Sequence, residues 1–304
     1  MSAADWSRYW REAGAQTGQS FLGDGVGDHE GIARFWGDAF QSASPTDQVV
    51  DVASGAGAVL SFAKQAGLSK LFATDIAPEA IEALSARLPG VRGIVCGVDA
   101  IPLPDQSAHW VTSQFGVEYA PESAIAEMAR LVAKSGMLRA LIHYRDGAIT
   151  RQASRDVSAV AQFLESDFVE AYRALIGAAF AQDASAMQAA AARFAKVEPQ
   201  IAALAKTPGA GLIAHFHSGA RQLWDRRAAY AETDITGWVD GMMASLLSFR
   251  HRMEAMLAAA KDEAGIHSVA DTLSAAGLSA ITVTPLTLYA GDPPAAWAVS
   301  AKRG

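Results

Sequence analysis

Cysteine is almost absent from the sequence. The single thiol, Cys96, has no second cysteine to pair with, so an intramolecular disulfide framework is excluded. Basic residues are also outnumbered, since 25 Lys and Arg stand against 32 Asp and Glu, giving a formal net charge of −7. Contacts to nucleic-acid phosphates need a basic surface, so no nucleic-acid partner is expected.

Long apolar runs are missing as well. No stretch approaches the roughly 20 apolar residues that a membrane-spanning helix requires, so no membrane partner is expected. Residues 1–6 (MSAADW) lack the charged and apolar regions of a signal peptide, and we expect a soluble, cytoplasmic protein. Hydrophobic residues form 51% of the 304, enough to build one large domain or a domain with an insertion.

Aromatic residues are concentrated near the N-terminus. Trp6, Tyr9 and Trp10 recur at helical spacing, and residues 21–28 read as an acidic, glycine-rich loop. We interpret residues 1–46 as a helical lid, with Tyr9 and Trp10 as candidate substrate contacts. The alternative is that these aromatics only pack the segment onto the main domain.

Residues 47–146 alternate between strand-like and helix-like segments. The predicted strands are 48–53, 70–75, 91–95, 108–114 and 137–143, and the predicted helices are 57–66, 78–88 and 121–133. Repeated β-α units of this kind predict an α/β fold with a parallel, doubly wound sheet.

Residues 147–264 break this alternation. They are rich in alanine and periodic at helical spacing, which predicts roughly four helices, one of them capped at its N-terminus by Asp234. The segment is too long for a simple connection between two strands, so we interpret it as a helical insertion. Three roles remain open for this insertion: a roof over a substrate site, core packing and a homodimer interface.

The strand pattern resumes in residues 265–304. A helix containing Leu278 is predicted to lead into strands at 280–289 and 295–300, separated by a Gly-Asp-Pro-Pro turn. Because the connection is so short, the two strands must be antiparallel.

The end of the first strand carries an acid followed by small residues, in the pattern Asp51-x-Ala53-x-Gly55-x-Gly57. A strand, a glycine turn and a helix together present backbone N–H groups at the edge of a parallel sheet. Here the acid precedes the glycines, where it would repel a pyrophosphate. A ligand with an ammonium or sulfonium group suits this position better.

In these motifs the sequence resembles the class I S-adenosylmethionine-dependent methyltransferases of the small-molecule type. The resemblance covers roughly 47–145 and 266–304. Four elements carry it in the family's order: Asp51–Gly57, Ala73–Pro78, Gly97–Val111 and Glu127–Gly136. Ala53 stands where the family often has glycine, and Ser135 replaces the first glycine of a common pair.

The resemblance implies a Rossmann-like sheet of seven strands, mostly parallel, with an antiparallel C-terminal hairpin and a helical insertion after strand five. It implies S-adenosylmethionine as cofactor and S-adenosylhomocysteine as product. Asp51 would offset the ammonium, Asp75 would accept from the ribose hydroxyls, and Asp99 would contact adenine. The candidate cofactor-binding residues are Asp51, Ala53, Ser54, Gly55, Gly57, Asp75, Ile76, Asp99, Ala100, Gln114 and Phe115.

Candidate residues for the acceptor follow strands four and five, where open α/β sheets hold ligands. His143 is the candidate catalytic base, and the candidate substrate contacts here are Glu118, Tyr119, Tyr144 and Arg145. No metal site is predicted, because the His215-Phe-His217 pair lacks an obvious third ligand.

Three functions follow from this. The leading prediction is an S-adenosylmethionine-dependent methyltransferase that acts on a small molecule, in natural-product or secondary metabolism, by in-line methyl transfer. The second is an enzyme that uses S-adenosylmethionine for other chemistry, such as intramolecular cyclisation. The third is a non-catalytic binding module.

Overall fold

The computed structural model describes residues 1–13 and 29–304; the predicted acidic loop at 21–28 lies outside these residues. The chain divides into two compact units. Unit 1 consists of residues 1–150 and 258–304, and unit 2 consists of residues 151–257. The sequence pattern predicts the insertion at 147–264.

Unit 1 contains a seven-stranded sheet with the order β3-β2-β1-β4-β5-β7-β6. The strands are β1 Gln48–Val52, β2 Lys70–Asp75, β3 Arg92–Val95, β4 Ala108–Gln114, β5 Val132–His143, β6 Leu278–Thr287 and β7 Pro294–Arg303. The first five strands pair in parallel, while β7 pairs antiparallel with both β5 and β6. The predicted fold, mostly parallel with an antiparallel C-terminal hairpin, is confirmed.

Helices connect and cover these strands. Those of unit 1 are α1 Ala3–Ala13, α2 Glu30–Gln41, α3 Ala58–Gln65, α4 Pro78–Arg87, α5 Ser123–Leu131 and α11 Glu263–Ala275. The remaining helices are α6 Ala148–Glu165, α7 Phe168–Ala181, α8 Ala184–Leu204, α9 Gly211–Asp225 and α10 Glu232–Ala259. A 3-10 turn, Val117–Tyr119, follows β4.

Valine side chains contribute to the buried core of the central strands. Val50 of β1 and Val111 of β4 are fully buried. They belong to a cluster that also contains Met128 from α5 with Ile266 and Leu273 from α11. Each such side chain stabilises the fold by roughly 1.5–3 kcal/mol on burial, so the last part of the chain helps to hold the sheet.

Strand β5 starts earlier than predicted. It begins at Val132 rather than Met137, so the segment expected to turn lies inside the strand. Ser135 has a φ of 61°, and a Cβ on Gly136 would lie 2.8 Å from the carbonyl oxygen of Ala133. The pairing with β4 changes register beside this segment, so the small residues form an irregularity in the strand rather than a turn.

The helix predicted to contain Leu278 ends before that residue. Helix α11 stops at Ala275, and Gly277 has a φ of 84°, the left-handed conformation that ends many helices. Leu278 is the first residue of β6 and is buried. The prediction was wrong because an apolar residue just past a helix stop fits either element.

Unit 2 is built from helices only. Five helices contribute to residues 151–257, where roughly four were predicted. Its core contains Phe163, Phe168, Tyr172 and Phe216, all of them at most 1% exposed. Stacking and tilted contacts between these rings, with centroids 5.1–6.3 Å apart, add to the stability that burial supplies.

The start of α10 differs in detail from the prediction. Asp234 is not the N-cap; it is the third residue of the helix. Its Oδ2 accepts a hydrogen bond from the backbone N–H of Ala231 at 3.0 Å, as the acid of a capping box does. In the part of the chain that the structure describes, no helix has the length and apolarity to cross a membrane.

Candidate functional site

The turn after β1 is held in an unusual backbone conformation. Ala53, Gly55 and Gly57 have φ values of 51°, 51° and 79°. The backbone N–H of Ser54 donates to the carbonyl oxygen of Thr74 on β2 at 2.9 Å, which ties the turn to the neighbouring strand. Left-handed φ values favour glycine, so the backbone conformation itself accounts for the small residues of the motif.

Asp75 braces this turn from the end of β2. Its Oδ2 accepts from the N–H of Gly55 and its Oδ1 from the N–H of Ala77, both at 2.9 Å. The side chain is buried, and burial raises the pKa of the carboxyl although these N–H groups act in the opposite direction. Each carboxylate oxygen has a second lone pair and can accept one more hydrogen bond.

Asp51 lies at the end of β1 and is 1% exposed. Its Oδ1 accepts from the hydroxyl of Thr112 on β4 at 2.7 Å. Burial raises the pKa of Asp51 to about 7, and the charge of Asp75 adds to that rise. Two acids at neighbouring strand ends are therefore ready to be paired with a cation.

A pocket of about 180 Å³ opens over these strand ends. The following candidate site residues line it: Trp10, Asp51, Ala53, Ser54, Gly55, Asp75, Ile76, Asp99, Gln114, Phe115 and Tyr119. The structure therefore brings together most of the candidate cofactor residues and two of the candidate substrate residues.

The same pocket is also lined by residues that are not among the predicted site residues. These are Met1, Trp6, Ala58, Val59, Gly97, Val98, Gly116, Ala120 and Pro121. Gly116 had a detectable signal, because it directly follows the strand-end pair Gln114-Phe115. A Cβ there would lie 2.6 Å from the Cβ of Ala53, so glycine permits β1 and β4 to end side by side.

Helix α1 supplies an aromatic wall to the pocket. The ring of Trp10 comes within 2.6 Å of where a Cβ on Gly55 would lie, so the indole rests directly on the glycine turn. Trp6 contacts Tyr119 edge to face, with ring centroids 5.2 Å apart. Tyr9 does not line the pocket; it is buried beside Trp10 against α4, and its role as a substrate contact stays a prediction.

Two candidate cofactor residues also lie outside the lining. A Cβ on Gly57 would lie 2.9 Å from Leu88, so this glycine allows α3 to start close to the end of α4. The N–H of Ala100, expected to donate to adenine, donates instead to the carbonyl oxygen of Gly97 at 3.4 Å. The local turn takes up the donor that was assigned to the ligand.

The end of β4 is fixed from both sides. Gln114 accepts at its Oε1 from the indole N–H of Trp36 on α2, at 2.6 Å. Phe115 has a φ of 54°, and its ring centroid lies 4.4 Å from that of His143. These contacts place the Phe115 side chain between the pocket and His143.

His143 and Glu118 form a buried pair behind the pocket. Both side chains are fully buried, and His143 Nδ1 lies 2.7 Å from Glu118 Oε1. The same oxygen accepts from the backbone N–H of His143 at 3.0 Å. A carboxylate in this position requires a proton on Nδ1, and thus sets the tautomer of the imidazole. Neither residue lines the pocket.

Tyr144 and Arg145, two of the predicted substrate contacts, do not belong to the lining of this pocket. Tyr144 stacks on Trp297, with ring centroids 4.4 Å apart. Arg145 pairs with Asp262 at 2.9 Å. The reason is that the chain beyond β5 pairs with the start of the second stretch of unit 1, through a bridge between Tyr144 and Lys261.

One of the two histidines of α9, His217, has a structural partner. His217 Nε2 lies 2.8 Å from Glu198 Oε1 on α8. Across residues 1–13 and 29–304, no group of three or more His, Cys, Asp or Glu side chains is arranged to hold a metal ion.

The comparison with protein families finds a match within unit 1. Residues 50–140, which run from β1 into β5, match the family described as methyltransferase domain. This part of the chain is therefore similar to a methyltransferase domain. The matched residues include the glycine turn and the acids at the ends of β1 and β2. No curated protein matches the sequence.

Solved structures that resemble the methyltransferase domain include three from different organisms. The first is a complex of the Trm112 methyltransferase activator with a methyltransferase from Haloferax volcanii. It shares 24% identity over 38% of this chain and 58% of that chain, with a TM-score of 0.33. The second is an S-adenosylmethionine-dependent methyltransferase from Mesorhizobium loti. It shares 18% identity over 38% of this chain and 56% of that chain, with a TM-score of 0.33.

The third is geranyl diphosphate C-methyltransferase from Streptomyces coelicolor A3(2), in complex with Mg²⁺, geranyl diphosphate and S-adenosyl-L-homocysteine. It shares 18% identity over 46% of this chain and 64% of that chain, with a TM-score of 0.37. The chain covers less than two thirds of the length of each of these three proteins.

Proposed function

We propose that the pocket of unit 1 binds S-adenosylmethionine and that the protein transfers its methyl group to a small molecule. The observation that carries the proposal is the pair of buried acids, Asp51 and Asp75, on either side of the glycine turn. A ligand that has both an ammonium group and a ribose diol matches these two acids.

The parts of the cofactor are assigned along the strand ends. Asp51 offsets the ammonium of the methionine moiety, and the backbone around Ser54 and Gly55 approaches its carboxylate. Asp75 accepts from the ribose hydroxyls through the lone pairs that the turn leaves available. Asp99 and Ile76 lie on the adenine side, where Ile76 is 42% exposed in the absence of a ligand.

Methyl transfer from a sulfonium is an in-line displacement in which the acceptor attacks the methyl carbon and the thioether leaves. The protein's main contribution is to hold the two reactants close and aligned. Phe115 and Tyr119 lie beyond the methionine end and are assigned to the wall that positions the acceptor.

His143 stays the candidate base for acceptors that must lose a proton. Glu118 holds its Nδ1, which leaves Nε2 as the nitrogen that takes the proton. Because the Phe115 ring separates His143 from the pocket, proton transfer requires a bridging water or a rotation of that ring. Two roles of residues 147–264 also stay predictions: a roof over the substrate site and a homodimer interface. Analytical ultracentrifugation tests the homodimer.

Calorimetric titration with S-adenosylhomocysteine tests the cofactor assignment. Asp75→Asn is expected to weaken binding at least about tenfold, because a hydrogen bond to a charged acceptor contributes roughly 1.5–3 kcal/mol. Glu82→Gln, on the exposed face of α4, is the matched control and should bind like the wild type. Absence of binding to both S-adenosylhomocysteine and S-adenosylmethionine would overturn the proposal.

Incubation with S-adenosylmethionine alone separates methyl transfer from other chemistry. A methyltransferase leaves the cofactor intact until an acceptor is added. Release of methylthioadenosine without an acceptor would contradict methyl transfer. It would support an intramolecular reaction of the methionine chain instead.

A further inference from the structure

The charged side chains that line the pocket are all acidic, although Met1, with the N-terminal amino group, also belongs to the lining. Asp51, Asp75 and Asp99 line it, and no lysine or arginine side chain does so among the residues that the structure describes.

The arginines near these strand ends are engaged elsewhere. Arg87 donates to the carbonyl oxygen of Ala56 at 2.8 Å and braces the glycine turn from its outer side. Arg139 donates at 3.0 Å to a carbonyl oxygen of α2. Arg145 is held by Asp262. Each of these arginines thus has at least one donor committed to a contact that supports the fold.

Helix α1 points its aromatic side chains and its arginines in different directions. At 100° per residue, Trp6 and Trp10 fall on one face and Arg8 on the opposite one. Arg8 is exposed, and Arg11 pairs with Glu79 at 3.2 Å on α4. The face of α1 that lines the pocket is therefore aromatic and uncharged.

The wall assigned to the acceptor is made of rings. Trp6 and Tyr119 meet edge to face at 5.2 Å, and Phe115 lies at the end of β4 beside them. Such side chains gain free energy mainly by covering apolar surface. A metal-bridged phosphate has no support either, because the described residues hold no cluster of three or more metal-ligating side chains.

On the basis of the proposed function, we propose that the acceptor is an uncharged molecule with an apolar or aromatic body, bearing neither phosphate nor carboxylate. In the proposed complex the cofactor's ammonium is paired with Asp51, and no lysine or arginine lines the pocket to offset Asp75, Asp99 and an added anion, so burial of an anionic acceptor is unfavourable. An uncharged acceptor loses little on leaving water and gains the contact with the rings.

Matched probe pairs test this in the full-length protein saturated with S-adenosylhomocysteine. The pairs are 1-naphthol with 1-naphthyl phosphate, and geraniol with geranyl diphosphate, each measured by calorimetry in the presence of Mg²⁺. The uncharged member is expected to bind at least about tenfold more tightly, because like charges repel in a site shielded from water. Tighter or equal binding of the phosphorylated members would overturn the proposal.

A pair of variants on one helix shows where the probes bind. Trp6→Leu should weaken the binding of 1-naphthol several-fold, whereas Arg8→Ala, on the exposed face of α1, should leave it unchanged. Failure of both uncharged probes to bind at about 1 mM would also overturn the proposal. Binding of S-adenosylhomocysteine is measured first and separately, so a failure of the cofactor assignment is distinguished from a failure of the acceptor assignment.

Discussion

Units 1 and 2 are both well packed, but they bury different kinds of side chain. The buried polar and charged residues all belong to residues 1–150: Asp51, Thr74, Asp75, Thr112, Ser113, Glu118, His143 and Thr150. Unit 2, which the structure describes in full, buries no Asp, Glu, His, Ser or Thr side chain. One unit thus accepts the unfavourable burial of polar groups and the other avoids it.

The difference has a physical meaning. Most of the buried polar residues of unit 1 lie at or near the ends of strands, where a parallel sheet directs ligands. Burial there shifts pKa values and fixes orientations, both of which serve binding and catalysis. The core of unit 2 supplies stability and shape, and chemistry in that unit is left to its surface.

The largest expected effect comes from the apolar core of unit 2. Phe168 is fully buried among Phe163, Tyr172 and Phe216. Phe168→Ala should lower the free energy of unfolding by about 3–5 kcal/mol, because it leaves a cavity in a closely packed core. Urea denaturation of the full chain measures the loss. Leu247→Ala, at a 51% exposed position, is the control and should change stability by no more than about 0.5 kcal/mol.

Asp51 should make unit 1 depend on pH. Its pKa rises from 3.8 to about 7 on folding because the carboxyl is buried. Between these values the folded protein binds more protons than the unfolded chain, so stability falls as the pH rises from about 4 to about 7. The full loss is about 4 kcal/mol at about 1.4 kcal/mol per pKa unit.

Asp51→Asn should remove that fall, because the amide does not ionise and its oxygen still accepts from Thr112. The measurement is urea denaturation of both proteins between pH 4 and pH 8 without cofactor. The variant should gain stability over the wild type as the pH rises. Asp271→Asn, on the exposed face of α11, should follow the wild type. A stability difference that stays constant across this range would contradict the assignment.

Glu118 should give a smaller effect that depends on hydrogen bonding. Glu118→Leu leaves the backbone N–H and the Nδ1–H of His143 without their acceptor and should lower the free energy of unfolding by about 2–3 kcal/mol. Glu118→Gln keeps an oxygen in the same place and should lose less than half as much. Equal losses in the two variants would mean that packing, rather than the acceptor, accounts for the burial of this pair.

The smallest expected effect tests the rule for unit 2. Tyr172 donates from its buried hydroxyl to the carbonyl oxygen of Ala220 at 2.8 Å, linking α7 to α9. Tyr172→Phe should reduce the free energy of unfolding by about 1 kcal/mol, as for an ordinary buried hydrogen bond. Tyr230→Phe removes a hydroxyl at a 40% exposed position and serves as the control. A loss much larger than this would show that unit 2 also depends on buried polar groups.

Local patterns were sufficient to predict most of the sheet. The strand segments ending at Asp75 and Gln114 match β2 and β4, because short apolar runs bounded by turn residues have few alternatives. The glycine motif identified the turn and its flanking acids for a related reason: left-handed backbone and close approach restrict the residues allowed there.

Such local patterns do not predict contacts between distant parts of the chain. The sequence gives no sign that Lys261 pairs beside Tyr144, and that pairing directs Arg145 away from the pocket. Tyr9 and Trp10 are neighbours, yet only Trp10 lines the pocket, because the packing of α1 against α4 buries Tyr9. For Ala100, local spacing does not show that a short-range turn competes for its N–H.

The division of unit 1 into two stretches of chain has a consequence for its synthesis. Strands β6 and β7 both follow unit 2 in the chain, and β7 pairs directly with β5. During synthesis on the ribosome, the edge of β5 that later pairs with β7 therefore stays unpaired until unit 2 and the last strands are made. At roughly 5–20 residues per second, the stretch from the end of β5 to the end of β7 takes about 8–30 seconds, long enough for an unpaired edge to recruit a chaperone or another nascent chain. Chains stalled after residue 257 should therefore show protease protection in unit 2 before the segment around β5 gains any.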